Sequence, residues 1–285
     1  MLQLLWDLPQ GVEFVETPLP PAEQVRVELP QEENLFPFFA PIRALCIDLL
    51  QNRAMPLTER MICLGVILQK LQAGDWNNPA PLIEQMTALT CSSQLTDLAA
   101  SIPGSREMFL LQNMKVMDPN AHSWTSQLCR ALEVEHQLKF TTQFTTQFTT
   151  QEDGQPQKFA QFITNLSKEA YAEALEQFHR TFSDSEYFFE NLMVALALYL
   201  GFPNLNSREK LWKSYVSLCS LYSFFRFISV LSCKQNASKE RLFHFLVFAS
   251  RATLHNQNRF AGFQQELFQH DSSSLAHMAI LLRWD

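Results

Sequence analysis

The stretch from Arg208 to Cys233 reads REKLWKSYVSLCSLYSFFRFISVLSC, and it decides the fold class. Its pattern is helical, and at 1.5 Å per residue it would run for roughly 40 Å. Asn206 and Glu209 stand three residues apart at its start, the spacing of a capping box. A core element of this kind predicts an all-α protein.

The same signals recur on both sides of it. Upstream, Ser183 and Glu186 have capping-box spacing ahead of a helix over Tyr187–Leu200, which Gly201 and Pro203 end. Downstream, Ser238 opens a helix over Lys239–His255, and shorter ones follow at Arg259–His270 and Ser274–Arg283. In the first half, Ile42, Leu45, Cys46 and Leu49 form one stripe after a first-turn proline, Pro41. Met61, Leu64, Ile67, Leu68 and Leu71 form a second after Pro56, stopped at Gly74. Further helices are expected over Pro79–Cys91, Gln94–Ser101, Arg106–Met117 and Ala121–Lys139. Met1–Leu5 reads as the end of a helix. Asp7–Glu33 is Pro-rich and irregular, with an alternating Val25, Val27, Leu29 that suits an edge strand.

Phe140–Gln151 is Phe-Thr-Thr-Gln three times in tandem. Its β-branched threonines disfavour a helix, and short repeats persist where a loop lengthens at little entropic cost. A variable linker is expected there, with a functional strand as the alternative. The organisation predicted is an irregular segment over 1–36, a helical lobe over 37–139, a repeat linker over 140–157 and a second helical lobe over 158–285. Together these make a multi-helix bundle in two lobes.

Composition narrows the function classes. Apolar residues make up 47% of the 285 and charged ones 18%, where roughly 25% charged is usual. With 24 Phe and 7 Gly, the chain favours long elements with bulky cores over a site built from loops. A net charge of −7 argues against nucleic acid as a partner, because that affinity rests on clustered Lys and Arg. Cys46, Cys63, Cys91, Cys129, Cys219 and Cys233 form no C-x-x-C pair, and all but Cys91 sit in apolar helical stretches. They read as reduced, buried thiols of a cytoplasmic protein rather than disulfides or metal ligands. The most apolar runs, Leu192–Phe202, Leu221–Leu231 and Leu242–Ala249, fall short of the roughly 20 residues of a membrane span. No G-x-G-x-x-G, Walker loop, G-x-S-x-G elbow or H-E-x-x-H occurs. The usual Rossmann cradle for S-adenosylmethionine is therefore missing.

What remains is a set of polar residues on apolar helices. Tyr215, Cys219, Tyr222 and Arg226 fall at steps of four, three and four, which places them on one helix face. His244, Phe248, Arg251 and His255 repeat those steps on the next helix. Glu190 and Asn191 stand amid Phe188, Phe189, Leu192 and Met193. An unpaired buried guanidinium is costly, so Arg226 and Arg251 require partners, and Glu190 is the expected anion. If the three faces meet, they line a polar pocket with aromatic walls. The stronger reading of the residues is that ion pairs and tyrosine hydroxyls only register helices, and arginines that snorkel to solvent are a further alternative.

Several segments resemble the flagellin lysine-N-methylases (FliB). They are Ile47-Asp-Leu-Leu-Gln-Asn-Arg53, Leu57-Thr-Glu-Arg60, Leu64-Gly-Val-Ile-Leu-Gln-Lys70, Phe189-Glu-Asn-Leu192, Ser214-Tyr-Val216 and Ser250-Arg-Ala-Thr-Leu-His-Asn256. The resemblance implies methyl transfer from S-adenosylmethionine to lysines of flagellin, in the cytoplasm. A lysine amine has a pKa of about 10.4 and must lose its proton before it attacks. Under this reading Glu190, Tyr215 and Tyr222 are candidates for that step, and Arg226, Arg251 and His255 are candidates for holding the cofactor. The resemblance also implies a cysteine-rich segment, carrying an iron–sulfur cluster, ahead of the matched region in relatives. The apolar start at Met1 fits a chain that begins just after it, through truncation, a degenerate gene or a misplaced start, so no cluster ligand is expected here and the resemblance leaves open whether the chain is active alone. The rival reading is a non-catalytic helical module that holds flagellin or another partner. The phenylalanine excess and low charge favour that reading by supplying an apolar contact surface.

Overall fold

The computed structural model describes residues 2–13, 35, 38–90, 93–105, 109, 113, 171–233, 237–254, 268 and 273–283. All regular structure among them is helical, so the fold is all-α. The helices are α1 Leu2–Trp6, α2 Phe39–Leu50, α3 Leu57–Ala73, α4 Pro79–Thr90, α5 Ser93–Ser101, α6 Glu186–Tyr199, α7 Arg208–Leu231, α8 Lys239–Thr253 and α9 Leu275–Leu282. Residues 171–181 are helical as well. The strand expected at Val25–Leu29, the repeat at Phe140–Gln151 and the helix at Ala121–Lys139 lie outside the described residues, as does nearly all of Arg259–His270.

The packing groups the chain into two compact units, Met1–Ile102 with Glu186–Leu218 and Pro103–Ser185 with Cys219–Asp285. Each unit draws on both halves of the sequence.

In the first unit α3 is the central element. It packs against α2, α4 and α5, while α6 packs against α1 and α2. Its inward stripe is the one the periodicity marks out, with Met61, Leu64, Leu68 and Leu71 all fully buried. Its C-terminal carbonyls have no partners within the helix. Trp76 Nε1 donates to Leu71 O at 2.7 Å, and the Arg208 guanidinium donates to Gln72 O and, at 2.9 Å, to Gly74 O. Helix α6 ends as its glycine predicts. Gly201 adopts φ +63°, Phe202 N donates to Ala197 O at 2.8 Å and Gly201 N to Leu198 O at 3.1 Å, a Schellman closure.

Both expected capping boxes are corrected. Glu186 does not reach back to Ser183; its carboxylate accepts Leu57 N at 2.6 Å and so caps α3, whose own N-cap position is Pro56. Ser207, not Asn206, caps α7, its Oγ accepting Lys210 N at 3.1 Å, and Glu209 pairs with Lys213 along the helix. Both misreadings have one cause. Sequence spacing shows which carboxylate could cap locally, while tertiary packing decides where it goes. Ser238 does cap α8, accepting Arg241 N, and Ser274 caps α9, accepting His277 N.

The second unit is built on aromatic packing. Phe227 of α7 stacks on Tyr171 with ring centroids 5.8 Å apart, and Phe109 meets both rings. Asn113 donates to Ser223 Oγ at 2.8 Å, so the small polar side chains of α7 find partners inside the core. The sequence reading found no run of membrane-spanning length, but α7 is long and apolar enough to cross one by length and composition. Of that apolar window, 83% is buried within the protein, the condition of a core helix.

Candidate functional site

Among the described residues, buried charge gathers where the corner between α2 and α3 meets α6. Leucine and isoleucine positions fix α2 and α3 in the core, which brings Arg53 in the corner and Arg60 in the first turn of α3 against Glu190. Arg60 is 3% exposed and Glu190 1% exposed, so neither charge has water to fall back on. Arg60 Nη1 donates to Glu190 Oε2 at 2.6 Å and to Leu50 O at 2.7 Å, while its Nε donates to Met55 O at 2.7 Å. Arg53 closes the other side. Its Nε lies 3.0 Å and 3.2 Å from the two carboxylate oxygens, and its Nη2 donates to Oε1 at 2.9 Å. The hydrogen bond to Glu190 holds the Arg53 guanidinium above its ordinary pKa.

Glu190 is thus buried and paired, as its position amid phenylalanines required, and its partners among the described residues are Arg53 and Arg60, neither of which the sequence marked out. Both oxygens are engaged by two cations, and the cluster carries a net positive charge. A carboxylate in that state has no free lone pair aimed at a lysine amine, and the surplus positive charge repels an ammonium. Acting as a base would require Glu190 to leave both arginines.

Tyr215 is also occupied. Its hydroxyl donates to Met61 O at 3.1 Å, and its ring sits 4.9 Å from that of Trp212, with no exposed surface. In the second unit Tyr222 is buried, and the Arg226 guanidinium lies 4.3 Å over the Phe178 ring, a cation–π contact. Arg251 belongs to α8, but its side chain lies outside the described residues, as does all of His255. The residues that sequence reasoning missed as partners, Arg53 and Arg60, stand in the first two segments quoted for the resemblance, and Glu190 stands in the fourth. Three of the quoted segments therefore converge on one ion cluster.

Of the residues proposed for a cofactor, only Arg226 has a described side chain. Glu190 and Tyr215 have spent their polar atoms on the fold, and Arg226 is stacked on an aromatic ring. A cluster fares no better. Among the described residues no group of three His, Cys, Asp or Glu stands close enough to hold a metal ion.

The free thiols of Cys46, Cys63 and Cys233 are buried. Burial pushes Cys46 up to about 12 and Cys233 to about 11, and burial aided by the Glu59 carboxylate pushes Cys63 to about 11. A thiol held protonated is a poor metal ligand. It also makes stability pH-dependent. The unfolded chain begins to lose these protons near pH 8.5 and the folded one does not, so the contribution is intact below about that pH and is lost as pH rises towards 11–12. The melting temperature should hold from pH 7 to 8.5 and then fall steadily up to pH 11. A flat profile across that range would show the thiols to be accessible to solvent.

Residues 43–281 match the FliB lysine N-methylase C-terminal domain. The chain belongs to that family. The match takes in α3, α6, α7 and α8 in full and all three members of the ion cluster. Comparison with curated proteins and with solved structures returns no match. The FliB C-terminal domain is therefore seen here as an all-α protein in which the buried Glu190 carboxylate is paired with Arg53 and Arg60.

Proposed function

We propose that this chain is the helical body of a protein-lysine N-methyltransferase that acts on flagellin in the cytoplasm, with S-adenosylmethionine as methyl donor. The observation that carries the reading is the family match over residues 43–281, which relates the chain to lysine N-methylases. The net charge of −7 suits a substrate that presents lysines. The chain incubated with flagellin and S-adenosylmethionine should leave methyl-lysine in flagellin, read by mass spectrometry of its peptides.

A second reading is favoured by the engagement of Glu190 and Tyr215 in the fold. In it the domain holds flagellin, and transfer chemistry is supplied by residues elsewhere. Flagellin binding without methyl-lysine in the same incubation supports this second reading. Neither binding nor methylation would overturn both.

A further inference from the structure

Residues 2–13 lie across the first unit in an unusual way. Five of their main-chain carbonyls are read by side chains. Asn191 Nδ2 donates to Leu5 O at 2.9 Å and to Leu8 O at 2.8 Å, and the Tyr187 hydroxyl donates to Trp6 O at 2.9 Å. Arg53 Nη1 donates to Pro9 O at 2.6 Å, and Gln51 Nε2 donates to Val12 O at 2.9 Å. Every acceptor belongs to the segment and every donor to the body. All four donor residues lie within the family range 43–281, while the whole segment lies outside it.

Leu5 and Trp6 are the side chains of the segment that pack most closely on the unit. Leu5 is buried, and the Trp6 ring packs 5.1 Å from that of Phe188, while Leu4 is 61% exposed. A helix of five residues has no stability of its own, so α1 keeps its shape only while docked. Recognition through carbonyls is nearly independent of sequence, which is how peptide-binding surfaces read an extended or single-turn ligand. The fit is also incomplete. Asn191 is fully buried, and its Oδ1 has no hydrogen-bond partner, although both bonds made by Nδ2 fix the amide's orientation. The resident segment satisfies the donors of this surface and leaves its one buried acceptor unmet.

We propose that Gln51, Arg53, Tyr187 and Asn191 form a groove that binds a short polypeptide segment through its main chain, and that residues 2–13 are a releasable strap filling it in cis. A segment that also offers an N–H or hydroxyl to Asn191 Oδ1 fits the groove better than the strap does. This inference is independent of methyl transfer.

Two measurements on the full chain test it. Hydrogen exchange should show the amides of the strap exchanging far faster than those of α6, because the strap opens without the unit unfolding. Equal, slow exchange in both would mean that the strap is a fixed part of the core, and the proposal would be wrong. The second measurement uses a labelled synthetic peptide with the sequence of residues 2–13. A strap tethered in cis competes at high effective concentration, so the Leu5→Asp chain should bind the peptide at least about tenfold more tightly than the unaltered chain. Adding Gln51→Ala and Tyr187→Phe, which leave the ion cluster intact, should abolish that gain. Unchanged peptide affinity in a folded Leu5→Asp chain, or a gain that survives the groove substitutions, would overturn the proposal.

Discussion

Replacing Glu190 with Gln is expected to lower the free energy of unfolding by about 3–5 kcal/mol, the usual cost of removing one partner from a buried ion pair. The two arginines will not suffer equally. The Arg53 side chain is 41% exposed and can turn to water, whereas that of Arg60 is 4% exposed and cannot. Arg60 would keep its bonds to Leu50 O and Met55 O but would hold an uncompensated charge in the core. The Arg60→Met change alone should also be severe, since it strands part of the Glu190 charge and leaves two buried carbonyls unmet. Combining Glu190→Met with Arg60→Met should recover part of the loss, because apolar residues often replace a buried pair without penalty. Urea denaturation midpoints of the three variants decide the matter. If Glu190→Gln matches the unaltered chain, the triad does not hold the unit together, and the carboxylate becomes available for chemistry.

The second large effect is expected at Phe227. Its ring is 1% exposed, lies at 17° to that of Tyr171 and presents an edge contact to Phe109 at 6.1 Å. Phe227→Ala removes most of the ring volume from a site with rigid neighbours on two sides, and should cost about 3–5 kcal/mol. Phe227→Leu keeps much of the volume and should cost clearly less. Val247 on α8 is 40% exposed, and Val247→Ala provides the control, with a change within about 0.5 kcal/mol. Thermal denaturation of all three is sufficient. A Phe227→Ala chain that melts like the control would mean that the aromatic cluster is not a core.

The helices were legible from their apolar stripes, and two of them also from a glycine stop. α3 is the clearest case, with its Met61–Leu71 stripe between Pro56 and Gly74, and the structure places it at Leu57–Ala73. The ion cluster was legible only by half. Glu190 among phenylalanines announces a buried anion that needs a cation, but nothing in the local sequence says which one. Arg226 was attractive because it shares a helical face with two tyrosines, a periodic signal. Arg53 and Arg60 carry no such signal, since one sits in the corner between helices and the other points along the first turn of α3. Their pairing with a residue 130 or more positions away is a product of packing, which periodicity does not encode. The Glu186 cap on Leu57 escaped notice for the same reason. The Tyr215 hydroxyl bonds to Met61 O, which is the helix-registering role that the sequence left open beside the catalytic one.

The distance along the chain between Arg60 and Glu190 has a consequence during synthesis. The arginine leaves the ribosome 130 residues before its counter-ion, a delay of roughly 6–26 s at bacterial and eukaryotic elongation rates of about 5–20 residues per second. The first amide of α3 waits just as long for the Glu186 carboxylate, 129 residues behind it. Throughout that interval the nascent α2–α3 hairpin exposes an apolar face and a cation destined for the interior. A ribosome that pauses while making residues 103–185 therefore holds Arg60 without its counter-ion, and the first unit closes only after residues 186–218 have followed.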